Sequence, residues 1–189
     1  LIEIQTRHLY ALRPKLRRLL EDHRVHLVHP LPAERWIVRE DADGRVLTRR
    51  KSPRHAAARD IFNELVLIAD LAMHPNLTLE ALLIREEQVW RDDGRGSWRR
   101  GRWSLIDTRL LGVVESAVFA QPVDYPALLP PLPETFTNAD LAAARGWNSR
   151  LAGKATYALR AMGLLTPAGK RGRANLFTIE VTNDNNHRV

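Results

Sequence analysis

The most constraining stretch of this chain runs from Pro133 to Val181, PETFTNADLAAARGWNSRLAGKATYALRAMGLLTPAGKRGRANLFTIEV. Thr137 with Asp140 three residues on is a capping-box pattern, in which a hydroxyl and a carboxylate satisfy the free amides of a first helical turn. That predicts a short helix over Asn138 to Ala144, ended by Gly146. Asn148 or Ser149 caps a second helix, whose Leu151, Ala155, Ala158, Leu159 and Met162 recur at helical spacing, and Gly163 stops it. Leu164 and Leu165 begin a short strand, Pro167 to Arg173 is a turn carrying Lys170, Arg171 and Arg173, and Asn175 to Val181 is a returning strand.

Helix, tight turn, helix and basic hairpin is the order of a winged helix-turn-helix, and the stretch resembles that family over roughly the last quarter of the chain. The resemblance implies a second helix in the DNA major groove and a wing on the backbone. On that mapping Ser149, Arg150, Lys154 and Tyr157 face DNA, and Lys170, Arg171 and Arg173 contact phosphates. The alternative is a winged helix used for protein contacts, with an ordinary solvated wing.

Charge agrees with a polyanionic partner. The 189 residues carry 29 Lys and Arg against 22 Asp and Glu, a formal net charge of +7. There is no cysteine, which excludes a disulfide framework and thiolate metal sites. No stretch is long and apolar enough to span a bilayer and no signal peptide is visible, so no membrane partner and a cytoplasmic location are expected. The chain opens without methionine on an apolar strand, Leu1 to Thr6, with no lead-in. The expectation is a fragment whose first domain is truncated at its start.

LIEIQT alternates like a strand, with Glu3 and Gln5 on one face. Leu9, Leu12, Leu16, Leu19 and Leu20 then form a helical stripe among basic residues, with Pro14 expected in the first turn. Val25 to Leu31 is another apolar strand. This β-α-β unit predicts parallel strands in an α/β (or α+β) domain with a mixed sheet. Glu3-Ile4-Gln5 on a strand before a basic helix resembles the second half of a PD-(D/E)XK nuclease core. The resemblance implies Glu3 as a Mg²⁺ ligand and Gln5 in the lysine position, where it helps place the attacking water. The family's lysine is a glutamine here, and the family's upstream Asp has no counterpart in the chain, so the fragment alone is expected to be inactive. The bland reading of the same residues is a strand end with a solvated Glu and Gln. His23, His26 and His29 cluster in sequence, but odd spacing on a strand separates His26 from His29 and argues against a metal site.

Glu34 to Glu40 and Val46 to Leu47 flank the turn sequence Asp41-Ala42-Asp43-Gly44, predicting a hairpin. The basic run Arg49-Arg50-Lys51-Ser52-Pro53-Arg54 follows, either solvated or on phosphates. A helix is predicted from Ser52 or Pro53 to about Met73, with Glu64 at its surface. Strand character returns over Leu77 to Ile84 and Gln88 to Trp90. Glycine, arginine and tryptophan then interleave from Asp92 to Trp103, predicting a hairpin in which Arg95, Trp98, Arg99 and Arg100 can grip nucleic acid, Trp98 by stacking. Asp92 and Asp93 start its turn. Ser104 with Asp107 forms a second capping-box pattern, predicting a helix over Leu105 to Phe119 as the first of the winged helix. Gln121 to Pro133 is a proline-rich linker, and residues 182–189 are expected to be disordered.

The expected organisation is therefore a nuclease-like α/β domain over residues 1–103 and a winged-helix domain over 104–181 that includes the linker 121–133. The expected function is binding of nucleic acid, double-stranded DNA, with Mg²⁺ needed only if the longer protein cleaves phosphodiesters. Two alternatives stand beside it. One is a winged-helix regulator without catalysis, and the other is a protein-interaction scaffold.

Overall fold

A computed structural model describes residues 1–6, 8–96, 101 and 103–180. The chain divides into two compact units. Unit 1 takes Leu1–His29, Arg59–Glu80 and Val118–Val189, and unit 2 takes Pro30–Ala58 and Ala81–Ala117.

Strands β1 (Ile2–Ile4), β2 (Val25–Glu40), β3 (Val46–Lys51), β4 (Leu77–Arg91) and β5 (Ser104–Phe119) form one mixed sheet in the order β1-β2-β4-β5, with β3 also paired to β2. β1 runs parallel to β2, with Ile2, Glu3 and Ile4 opposite His26, Leu27 and Val28. β3 runs antiparallel to β2, from Trp36 opposite Lys51 to Glu40 opposite Val46, with a bulge at Arg39/Glu40. The two separately predicted strands Val25 to Leu31 and Glu34 to Glu40 are one strand. Pro30 and Pro32 fall between the β1 ladder, which ends at Val28, and the β3 ladder, which begins at Trp36. Their missing N–H groups therefore deprive neither the β1 nor the β3 ladder of a donor.

In unit 1, helix α1 (Leu9–Asp22) buries Leu9, Leu12, Leu16 and Leu20, as the leucine spacing predicts. Its first amide, Leu9 N, donates to Glu64 Oε2 at 3.0 Å, so Glu64 caps this helix from another element. Pro14 lies in the helix interior rather than its first turn. The lost hydrogen bond is tolerable because Tyr10, whose carbonyl goes without its donor, is exposed to water.

The helix expected from Ser52 to Met73 is broken into a 3₁₀ turn (Ala58–Ile61), α2 (Phe62–Leu65) and α3 (Ala69–Ala72). Ile68 leaves helical geometry (φ −133°, ψ 20°). The Leu67 carbonyl accepts from the Arg13 guanidinium at 2.8 Å instead of continuing a helical ladder. The buried faces of these short helices, Ile61, Phe62, Leu65 and Leu71, still supply core.

The largest correction concerns Leu105 to Phe119, which is β5 and not a helix. Ser104 caps nothing helical, since its hydroxyl donates to Asp93 Oδ1 at 2.8 Å. Gly112 at the centre penalises a helix by about 1 kcal/mol relative to alanine. The β-branched Ile106, Thr108, Val113, Val114 and Val118 favour extended backbone.

The chain then makes two 3₁₀ turns, Pro122–Asp124 and Pro126–Leu128, through the proline-rich segment. That segment is anchored by Tyr125, which stacks on Phe119 with centroids 5.1 Å apart and donates its hydroxyl proton to the Ala72 carbonyl at 3.0 Å. Burial pushes the Tyr125 phenol well above its ordinary pKa.

Helices α4 (Asn138–Ala143) and α5 (Ser149–Ala161) follow, then the hairpin β6 (Leu165–Arg171) and β7 (Ala174–Ile179). The predicted capping box is formed: Asp140 N donates to Thr137 Oγ1 at 3.2 Å, and Thr137 N donates to Asp140 Oδ2 at 2.7 Å. Asn148 caps α5 through Leu151 N at 2.9 Å. The turn of the hairpin is tighter than expected. Strand pairing reaches Arg171 opposite Ala174, leaving Gly172 (φ 63°) and Arg173 as the tip. The tail over 182–189 lies outside the described residues.

Candidate nucleic-acid interface

The expected DNA-facing residues of α5 divide in two. Ser149, Arg150 and Tyr157 are exposed. Lys154 is not available in the same way: its Nζ donates to the Asn63 carbonyl (3.3 Å) and to Asn63 Oδ1 (3.0 Å), tying α5 to α2. Nearby, the ring of Phe62 meets Trp147 at 6.2 Å, and Arg59 Nε donates to the Gly146 carbonyl at 2.9 Å. The hairpin cations divide likewise. Arg171 is ion-paired to Asp140, the capping carboxylate of α4. The Thr137 amide, followed by the Thr137 hydroxyl and Arg171, holds the Asp140 carboxyl below the usual carboxylate range. Lys170 and Arg173 are exposed, and neither forms an ion pair among the described residues.

At the start of the chain, Glu3 lies opposite buried Leu27 and pairs with Lys15 at 2.6 Å. The Gln5 carbonyl accepts from His29 Nδ1 at 2.7 Å. His29 is buried, and that burial lowers its pKa despite the hydrogen bond to Gln5 and the charge of Glu64. His26 turns elsewhere, to Glu80 at 2.7 Å. A Mg²⁺ site needs several converging oxygen ligands. Here the carboxylate of Glu3 is already neutralised by Lys15. Among the described residues no three His, Asp or Glu side chains come together as metal ligands. The residues present do not fit the ion implied by the nuclease resemblance.

Unit 2 brings several arginines together on one face, and strand alternation explains how. On a strand, successive side chains take opposite faces, and residues directly opposite on an antiparallel neighbour share a face. Lys51 and Arg49 lie opposite Trp36 and Val38. On that face the Arg49 guanidinium sits 4.1 Å over the Trp36 ring and bonds Glu87 at 2.8 Å. Lys51 pairs with Glu34 at 3.0 Å and thereby holds the Glu34 carboxyl below its ordinary pKa.

Arg50 and Ser52 fall on the other face, with Arg35, Ile37 and Arg39 of β2. Together with Arg54, Gln88, Trp90, Gly101 and Trp103 they line an open groove of about 610 Å³. Of its four arginines, Arg35 is bonded to Glu86 at 2.6 Å. Arg39 lies 5.0 Å over the Trp103 ring. Arg50 and Arg54 are exposed, and neither forms an ion pair among the described residues. Of the four cations in the basic run singled out in the sequence, then, Arg50 and Arg54 reach the groove and Arg49 and Lys51 do not.

Arg35, Arg39, Trp90 and Trp103 join the groove beyond the residues expected from the sequence. Their signal is the alternation of Arg35, Ile37 and Arg39 within ERWIVRE. Arg95 is exposed in the loop before β5, where its amide donates to Asp93 Oδ1 at 3.0 Å. That bond, then the Ser104 hydroxyl, keeps the Asp93 carboxyl below its usual range. Asp93 therefore serves the turn, as expected. Trp98, Arg99 and Arg100 lie outside the described residues.

Comparison with known proteins adds kinship. The model of a domain of unknown function, DUF8091, matches residues 1–120. A protein of Treponema pallidum (strain Nichols), described as an uncharacterized protein, is 35% identical over 195 residues, covering 98% of this chain and 73% of the relative. No solved structure matches. No helix among the described residues is long and apolar enough to cross a membrane.

Proposed function

The chain belongs to the DUF8091 family, and from that premise we propose that it binds nucleic acid, with the groove of unit 2 as the primary contact for a single-stranded segment. The observation that carries this reading is the groove itself: four arginines and two tryptophans around about 610 Å³, all within the residues the family model spans. Guanidinium groups without acidic partners are suited to phosphate oxygens. Indole rings beside them suit unstacked bases, at about 1–3 kcal/mol per stacked base. A duplex keeps its bases stacked inside, so it would use the arginines and leave the indoles idle.

The helix–turn–helix–hairpin of unit 1 supports a secondary role of winged-helix type, with Arg150, Tyr157, Lys170 and Arg173 left exposed for duplex phosphates. Phosphodiester hydrolysis at Glu3 and Gln5 is not part of this proposal, because the ligands present do not fit Mg²⁺.

Fluorescence anisotropy with labelled oligonucleotides of about 12 nucleotides tests the reading. Single strands are expected to bind, with affinity falling steeply between about 50 and 200 mM salt. The double variant Arg50→Ala/Arg54→Ala should flatten the log–log salt slope by about 1.4, the value for two lost single-strand phosphate contacts. Trp90→Ala should weaken single-strand binding and leave duplex binding unchanged. Absence of binding at about 50 mM salt, or an unchanged affinity in the double arginine variant, overturns the reading.

A further inference from the structure

Strand β5 ends the order β1-β2-β4-β5, so one of its backbone edges has no partner strand among the described residues. It is 16 residues long and mostly exposed. Ile106 (42%), Leu110 (63%), Leu111 (46%), Val113 (53%), Val114 (47%) and Val118 (49%) all present apolar surface to water. Natural edge strands are usually blunted by proline, lysine or short length, because unpaired N–H and C=O groups invite another strand. From Ile106 to Val118 there is neither proline nor lysine.

We infer that two copies of this chain pair edge to edge through β5, antiparallel, about a two-fold axis at Gly112. What identifies a second copy as the occupant is the strand's complementarity to its own reverse. With Gly112 facing Gly112, Leu111 meets Val113, Leu110 meets Val114, Arg109 meets Glu115, Thr108 meets Ser116, Asp107 meets Ala117 and Ile106 meets Val118. Each pair occurs twice by symmetry, as a two-fold interface requires. Apart from Asp107, which keeps its in-chain Arg109 and faces the small Ala117, apolar meets apolar, hydroxyl meets hydroxyl and cation meets anion, the pairings that stabilise adjacent strands.

Neighbouring registers lose this match. Centring on Leu111 sets Asp107 against Glu115, and centring on Val113 sets Leu111 against Glu115. Gly112 also leaves the axis uncrowded, since a Cβ built there meets nothing within 4 Å. Within its own chain the Arg109 guanidinium bonds Asp107 at 2.8 Å and lies 3.9 Å from Glu87. Glu115 forms no ion pair among the described residues, so the second copy supplies the partner it lacks. A dimer also carries two grooves, which would strengthen binding to a long strand by effective concentration.

Light scattering and sedimentation of the whole chain, from about 1 to 100 µM protein at ordinary ionic strength, should give twice the 21.6 kDa chain mass. Glu115→Arg sets like charges across the seam and should raise the dimer dissociation constant at least tenfold. Arg109→Glu/Glu115→Arg restores opposite charge and should recover the dimer, which separates a pairing defect from a folding defect. The chain has no cysteine, so Gly112→Cys should form an inter-copy disulfide on oxidation. Val114→Cys should not, because its two copies lie about 14 Å apart along the seam, beyond disulfide reach. A monomer at every concentration, an unaffected dimer in Glu115→Arg, or equal cross-linking at 112 and 114 overturns the inference.

Discussion

The ion-paired and hydrogen-bonded basic residues of unit 1 and the groove arginines of unit 2 are put to different uses. In unit 1 several of them are held in structural contacts. Arg13 and Arg17 both bond Asp70, Lys154 holds Asn63, Arg59 holds the Gly146 carbonyl and Arg171 closes on Asp140. In the groove of unit 2, Arg50 and Arg54 have no acidic partner among the described residues, and Arg39 is matched with a ring rather than a carboxylate. A positive count in the sequence therefore says little about phosphate binding. What matters is how many cations remain after the fold has taken its share.

The sharpest way to break this contrast is to remove cations from each unit and read affinity. Arg50→Ala/Arg54→Ala should weaken single-strand binding by tenfold or more at low salt, since each lost phosphate contact acts on all sequences alike. Lys154→Met with Arg171→Ala should leave that affinity within twofold. The same unit 1 cations should register in stability instead. Lys154→Met leaves the Asn63 side-chain oxygen without its charged donor and should cost about 2 kcal/mol in denaturant unfolding. Thr137→Ala removes the α4 cap and should cost about 1 kcal/mol by the same measurement.

The smallest effect expected is a pH dependence from His29. Its folded pKa is lowered, so the unfolded chain binds more protons and stability rises with pH. The contribution is fully present above the unfolded value near 6.5 and is lost as pH falls from there through the folded value. The melting temperature should therefore drop between about pH 7.5 and 5.5, and His29→Gln should flatten that drop.

The elements that could be read from the sequence are those whose signal is local. The α1 stripe needs only leucines at helical spacing, the α4 cap only Thr137 and Asp140, and the parallel β1–β2 pair only the helix between two apolar runs. β5 is not legible in this way, because a strand apolar on both faces has no period of two. Its Leu110, Val113, Val114 and Ala117 then mimic a helical stripe behind a false capping box. The groove was half legible for a different reason. Arg49, Arg50 and Lys51 are adjacent in sequence, but which of them joins Arg35 and Arg39 depends on the pairing of β2 with β3, a fact about two strands rather than one.

That pairing is set at the hairpin turn, just beyond the groove-lining Arg39. Asp41 Oδ1 accepts from the amides of Asp43 (3.1 Å) and Arg45 (2.8 Å), and Gly44 turns at φ 85°, where a Cβ would lie 3.2 Å from the Arg91 guanidinium. The turn thus acts as a reading frame for the surface. Exchanging one arginine in the groove grades its charge by a single step. Inserting or deleting one residue between Asp41 and Arg45 would shift β3 by one place, send Arg50 to the Trp36 face and bring Arg49 and Lys51 round in its stead. Substitutions can therefore tune this surface gradually, whereas a change in the length of the turn rewrites it in a single event.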